Sequence, residues 1–517
     1  MEGVHSSTPI SLGKGDECLA NAFNWWGIFL WRTMRGLIDR YNFLFRSTKG
    51  LVLVAMALIA LTTAIWGMLS GPMADLGIRD VVVRLTGMIL KPEEREGRII
   101  MLYHTIAMAI VAIEVYIITT LIPIKTSSRA NINATITVGY IAAMIGGLGF
   151  GYFGHNWILH GIFIAGQSLV FFAGILLAIA LNPWDKEYRV AHSEYAVWRG
   201  IDLERAAFFT MAVATLGSAL FGAVPGSFFG NGFKVFLAED VVREVHKDTL
   251  QLAVIGHLHI MLTLIAVALA LIVGRWLDFK GKLHKIAMPL MIVGTIIITL
   301  GVWLVVPFEE IAHYIIYVGS VFILLAALCL VIFGFGQLIR ENIRTPQANW
   351  AQKILALIAD PLKFGMLWQM VYMNFVVTFI GLFMAIRLDK VIRVWPQREE
   401  RITLTGHWHI LASIIATIII LYYADWIGLK GRARQWFGWL IIIPSNIAFA
   451  AAALFSTKRL YVAESAQQPL VDVIMLVTDA ALATVLLTLA GLMMWRLFDL
   501  FARNGKWAQE AREEMSE

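Results

Sequence analysis

Cysteine is nearly absent from this chain of 517 residues: only Cys18 and Cys329 occur. Two thiols so far apart provide no disulfide framework, no iron–sulfur ligand spacing and no Cys-x-x-Cys-His site for covalent haem. Charge is also scarce, at 15% Asp, Glu, Lys and Arg, while 59% of the residues are hydrophobic. A mean hydropathy of +0.73 excludes a soluble domain of this size. The net charge of +6 then reflects loops at a membrane surface and gives no reason to invoke nucleic acid. A cleavable signal peptide is not expected, because the first twenty residues are polar. The segment around Trp25, Trp26 and Trp31 with Arg32, Arg35 and Arg40 is predicted to be an amphipathic interfacial helix.

Apolar runs, by contrast, are abundant. They fall near 50–70, 101–123, 134–153, 157–182, 206–224, 251–274, 286–306, 311–337, 364–387, 404–424, 436–455 and 471–497. Each approaches the roughly 20 residues that cross a bilayer as a helix, so an all-α membrane protein of about twelve spans is expected. The connections after even-numbered spans are basic: Lys125 and Arg129; Arg275, Lys280, Lys282 and Lys285; Lys430, Arg432 and Arg434. The positive-inside rule makes these loops, and both termini, cytoplasmic in an inner membrane. The expected organisation is an N-terminal segment 1–46, a membrane domain 47–500 and a tail 501–517. Within the membrane domain three four-helix arcs, 50–182, 206–337 and 364–497, suggest pseudo-threefold symmetry.

One short motif recurs inside those arcs. Gly256-His257-Leu258-His259 and Gly406-His407-Trp408-His409 stand 150 residues apart, and Tyr103-His104 opens the corresponding helix of the first arc. Imidazole is costly in lipid and is a common ligand of haem iron, so histidines at matched depth in three helices point to haem. Residues two apart on a helix project about 200° apart, so each His-x-His pair serves two pockets. His259 either faces a third pocket toward the second helix or bonds a carbonyl. Glu114, about 15 Å deeper than His104 at helical rise, is either a proton relay or a neutral group bonded to a neighbouring helix. His155 and His160 line a quinone pocket with Gln167, or sit at headgroup level; Glu309 and Glu310 are solvated. A secondary transporter also has repeats, but the recurring histidines and the scarcity of Gly/Pro-broken helices argue against it.

Taken together these motifs resemble the catalytic subunit of the haem–copper oxidase superfamily, which includes nitric oxide reductases. The likeness covers roughly 40–500. Phe43-Leu44-Phe45-Arg46-Ser47-Thr48-Lys49 resembles the motif ahead of the first helix, and Ser445-Asn446-Ile447-Ala448-Phe449 that of the eleventh. The resemblance implies that His104 and His409 ligate a low-spin haem, that His407 ligates a second haem, and that Lys458 and Arg459 meet haem propionates. His257 resembles the sixth-helix ligand of the family's copper or non-haem iron. The departures are specific. The seventh span, 286–306, contains no histidine; His284 precedes it and His313 follows it; and Met261 replaces the tyrosine four residues after the sixth-helix ligand. The expectation is two non-covalent b haems and no copper, with His257 either reaching the second iron opposite His407 or standing as a distal group over an open haem. Such a chain would be the haem-bearing part of a membrane oxidoreductase complex, working with other subunits. It would exchange electrons with quinol, or with an external cytochrome or iron–sulfur protein. The alternative is a nitric oxide or dioxygen reductase with a divergent second metal, to which Glu309 or Glu310 would be an added carboxylate ligand of the kind found in the nitric oxide reductase branch.

Overall fold

The computed structural model describes residues 38–514 apart from 70–72, 75, 92–94, 155, 191–193, 229–248, 344–348, 388–396 and 503. The interfacial helix expected around Trp25 to Arg40 therefore lies outside the described residues up to position 37, as does His155. Among the described residues, twelve helices are long and apolar enough to cross a membrane. They are α1 Thr48–Leu69, α2 Gly97–Leu121, α3 Thr126–Phe153, α4 Trp157–Ala180, α5 Leu203–Phe228 and α6 Thr249–Trp276. The second half comprises α7 Lys282–Leu304, α8 Glu309–Asn342, α9 Pro361–Met384, α10 Gly406–Trp426, α11 Gly431–Leu460 and α12 Glu464–Phe501. The protein is thus an all-α multi-pass membrane protein, and among the described residues its strands form one two-stranded hairpin, β1 Val197–Trp198 and β2 Ile201–Asp202. A helix satisfies its own backbone hydrogen bonds, which is the requirement in hydrocarbon. Large apolar side chains stand outward along the helices, such as Leu61, Ile332 and Leu487, an arrangement that lipid tolerates and water does not.

By its contacts the chain divides into two compact units, residues 1–54 with 492–517, and residues 55–491. In the first unit the tail is folded rather than free. Asp499 accepts from the backbone N–H groups of Lys506 and Trp507 at 3.0 Å each and so caps the helix Lys506–Glu514. Trp507 is fully buried with its ring edge-on to Phe43, 5.4 Å between centroids, and Lys49 reaches Glu510 at 2.8 Å.

In the second unit, packing relies on small residues where helices touch, the usual route to close approach without a hydrophobic driving force. A Cβ on Gly146 of α3 would lie 2.4 Å from the Phe163 nitrogen of α4, and one on Gly166 of α4 2.3 Å from the Ala143 nitrogen. The connections after even-numbered helices are tied to each other, so they share one side. Arg205 at the start of α5 donates to Pro123 O at 2.7 Å and to Asn182 O. Ala196 N donates to His284 Nδ1 at 2.9 Å, and Trp276 Nε1 donates to Asp425 at 2.7 Å. Arg434 grips Asp360 through Nε and Nη2 at 3.0 and 2.7 Å and also bonds Asp425.

The repeat seen in the sequence extends to backbone conformation. The α6–α7 turn has positive φ at Asp278 and Gly281, and the α10–α11 turn at Gly428 and Gly431, the same two positions 150 residues on. Phe279 N bonds Gly274 O at 2.9 Å and Leu429 N bonds Ala424 O at 3.1 Å, closing both helices in the same way.

Candidate cofactor site

Each histidine of interest lies near the start of an even-numbered helix, at the end opposite the basic turns. Helix α6 packs against both α2 and α10, and the Tyr103 hydroxyl of α2 lies 2.6 Å from His409 Nε2 of α10. The three histidine-bearing helices therefore meet in all three pairings.

Three of the rings, those of His104, His257 and His259, share one local arrangement. His104 Nδ1 lies 2.8 Å from Ile100 O and His259 Nδ1 2.7 Å from Ile255 O, each on the carbonyl one turn back in its own helix. His257 Nδ1 lies 2.9 Å from Ser218 O of α5. A carbonyl accepts only, so in each case Nδ1 carries the proton and Nε2 keeps its lone pair. That is the tautomer and orientation a metal-bound imidazole needs.

His104 and His257 lie side by side, 6.3 Å between ring centroids and 11° between planes. Metal–imidazole bonds of about 2.0–2.1 Å put two trans imidazoles roughly 6 Å apart centroid to centroid, a spacing comparable to that of this pair. Phe163 stands edge-on to His104 at 6.4 Å. The His259 side chain is exposed. It lies within electrostatic range of His407 and of His313, and Trp408 stands edge-on to it at 5.8 Å.

Two glycines seat the rings. A Cβ on Gly222 of α5 would come within 2.1 Å of His257 Nδ1, and one on Gly381 of α9 within 2.8 Å of His407 Nε2. Helix α9 carries a π-helical turn over Tyr372–Val377 just before Gly381, a distortion common at functional sites.

The expected pairs were His104 with His409 and His257 with His407. In the structure the His104 ring lies beside that of His257, and the neighbouring Tyr103 hydroxyl reaches His409. Adjacent residues on a helix point about 100° apart, so Tyr103 and His104 address different partners. Which of the two faces α10 depends on the rotation of α2 about its own axis, and no residue type in the motif reports that rotation. Ser218, Gly222, Gly381 and Tyr103 were missed by motif reasoning. Only Tyr103 carried a signal, as a hydroxyl directly beside a ligand candidate.

The remaining candidates fall as follows. Lys458 is buried at the end of α11, with Nζ 4.7 Å from the centre of the Phe455 ring, and Arg459 beside it is half-buried. Their turn is at the histidine end of α10, since Thr403 Oγ1 donates to Ser456 O at 2.6 Å. Glu114 is buried, and its Oε1 has no hydrogen-bond partner among the described residues. His160 packs against the Phe150 ring at 5.1 Å, Gln167 is half-buried, and Glu309 and Glu310 are exposed in the first turn of α8. His284 is buried at the basic-turn end, where it accepts from Ala196, far along the chain's long axis of helices from the other histidines. Among the described residues, no three His, Cys, Asp or Glu side chains converge to hold a metal ion by themselves.

The fold and this cluster define a class, a multi-pass helical membrane protein with histidines clustered toward one end of three helices. No family model matches the sequence, and no curated protein matches it.

Proposed function

We propose that this protein is a membrane electron-transfer subunit holding two b haems through histidine. The observation that carries this reading is the His104–His257 pair: parallel rings 6.3 Å apart, each with Nδ1 turned to a carbonyl. His104 and His257 would hold the first haem, and His259 with His407 the second. Lys458 and Arg459 are suited to bond propionates at the same end through charge-assisted contacts. A haem with two axial imidazoles supplies one-electron transfer and has no open position for a gas. Tyr103 keeps His409 oriented beside the first site. In this reading the chain lies in a cytoplasmic membrane with its basic turns and both termini inside. It works with other subunits of a respiratory complex and exchanges electrons with quinol or an external cytochrome or iron–sulfur protein.

The test is haem stoichiometry and spectroscopy on single variants. The unmodified protein is expected to contain two haems b and no stoichiometric copper, and not to bind carbon monoxide readily when reduced. His104→Ala and His257→Ala should each perturb the same haem, whereas His409→Ala should leave that haem six-coordinate. Loss of one common haem in His104→Ala and His409→Ala, with His257→Ala unaffected, would refute the pairing. Rapid carbon monoxide binding by the unmodified protein would refute the electron-transfer reading in favour of a gas reductase.

A further inference from the structure

A second feature lies at the opposite end of the bundle and is independent of any haem. A cleft of about 400 Å³ opens between the start of α7 and the last turns of α8, bordered by Lys280, Lys282, Ile332, Phe333, Gly336 and Arg340. Its polar rim is wholly cationic. Lys280 is occupied, bonding Asp278 at 2.7 Å and lying 3.8 Å from Glu194. Lys282 and Arg340 are exposed and have no acidic partner among the described residues. The acid next to Arg340 is engaged elsewhere: Glu341 accepts from Lys363 at 3.1 Å and from Gln337 at 2.8 Å. Among the described residues, two cations without an acidic partner thus line one cleft.

The rest of the cleft is apolar and runs along the membrane-facing surface. Ile332 is 53% exposed, and it lies about 12 Å deeper than Arg340 at helical rise. Between them Gly336 leaves the floor open, since a Cβ there would meet nothing within 4 Å. Cations at the end of a spanning helix with an apolar trough beneath them match an anionic phospholipid in both charge and depth. A soluble anion would use the rim and have no reason for the trough.

We propose that this cleft binds one anionic phospholipid, its phosphodiester held by Lys282 and Arg340 and an acyl chain laid over Gly336 along Ile332 and Phe333. The test uses the full chain in mild detergent, with native mass spectrometry after addition of phosphatidylglycerol, phosphatidylcholine of the same chains, or inorganic phosphate. The unmodified protein and the exposed-arginine control Arg432→Gln should each retain one phosphatidylglycerol. Lys282→Gln/Arg340→Gln should retain it at least tenfold less well. Gly336→Leu, which fills the trough without meeting any neighbour at its Cβ, should do the same while leaving both cations in place. Phosphatidylcholine should be held weakly, and phosphate should not displace the bound lipid. Equal retention by the variants and the control, equal retention of the two lipids, or displacement by phosphate alone would each overturn the proposal. Should the double variant not fold, Gly336→Leu decides.

Discussion

Replacing Gly222 by alanine adds one methyl group and is expected to disable a ring on another helix. The new Cβ would stand 2.1 Å from His257 Nδ1 and 2.3 Å from its Cγ. Ordinary carbon contacts need about 3.5 Å or more, so the imidazole must move by about 1.4 Å. A shift of that size away from Ser218 O lengthens the 2.9 Å bond beyond hydrogen-bonding distance. Loss of that bond costs about 0.5–1.5 kcal/mol, and forcing a methyl group into filled space about 1–3 kcal/mol. Alanine's better helix propensity returns only about 1 kcal/mol, so destabilisation wins, by an expected 1–3 kcal/mol. The assay is thermal unfolding in detergent beside Gly67→Ala, whose Cβ meets nothing within 4 Å and which should be neutral or slightly stabilising. Under the proposed function, Gly222→Ala should also disturb the haem held by His257. If Gly222→Ala unfolds at the same temperature as Gly67→Ala and keeps an unchanged haem spectrum, the seating argument is refuted.

Two further outcomes concern the basic-turn end. Arg434→Lys should destabilise by about 2 kcal/mol and Arg434→Met by about 3 kcal/mol, because Asp360 and Asp425 lose a two-pronged partner while only 22% and 11% exposed; unfolding midpoints within a degree of the unmodified protein would contradict this. Bonds from Lys280 and Tyr195 hold Asp278 below its usual carboxylate range, so its contribution is present above the unfolded value and disappears as pH falls through the folded one. The bond to Asp278 raises Tyr195, whose contribution is present below its unfolded value and disappears as pH rises through the folded one. Protection from hydrogen exchange in residues 194–202, relative to the intrinsic rate at each pH, should therefore be greatest between these limits, and Asp278→Asn should remove the acid limb; an unaltered acid limb in that variant would assign the pH dependence to another group.

The apolar runs, spaced by length alone, determined that this is a twelve-span all-α protein, because in hydrocarbon a helix of about 20 residues is the only open-ended segment that satisfies its own backbone. The 150-residue repeat was equally legible. It carried down to the paired positive-φ positions at 278 and 428 and at 281 and 431, since those turns close long helices under the same constraint. The tail was less legible. Residues 501–517 look polar, yet Trp507 is buried against Phe43, a contact between residues more than 460 positions apart. The candidate site divides along the same line. That histidines mark one end of α2, α6 and α10 is a property of the sequence, because burying imidazole in lipid demands a reason. Which ring meets which is not, because pairing depends on the rotation of each helix about its axis. That rotation is set by small residues such as Gly222 and Gly381 on helices that carry no histidine, and by the Ser218 carbonyl, a group every residue possesses. The placement of His104 beside His257, and of Tyr103 toward His409, was decided by packing alone.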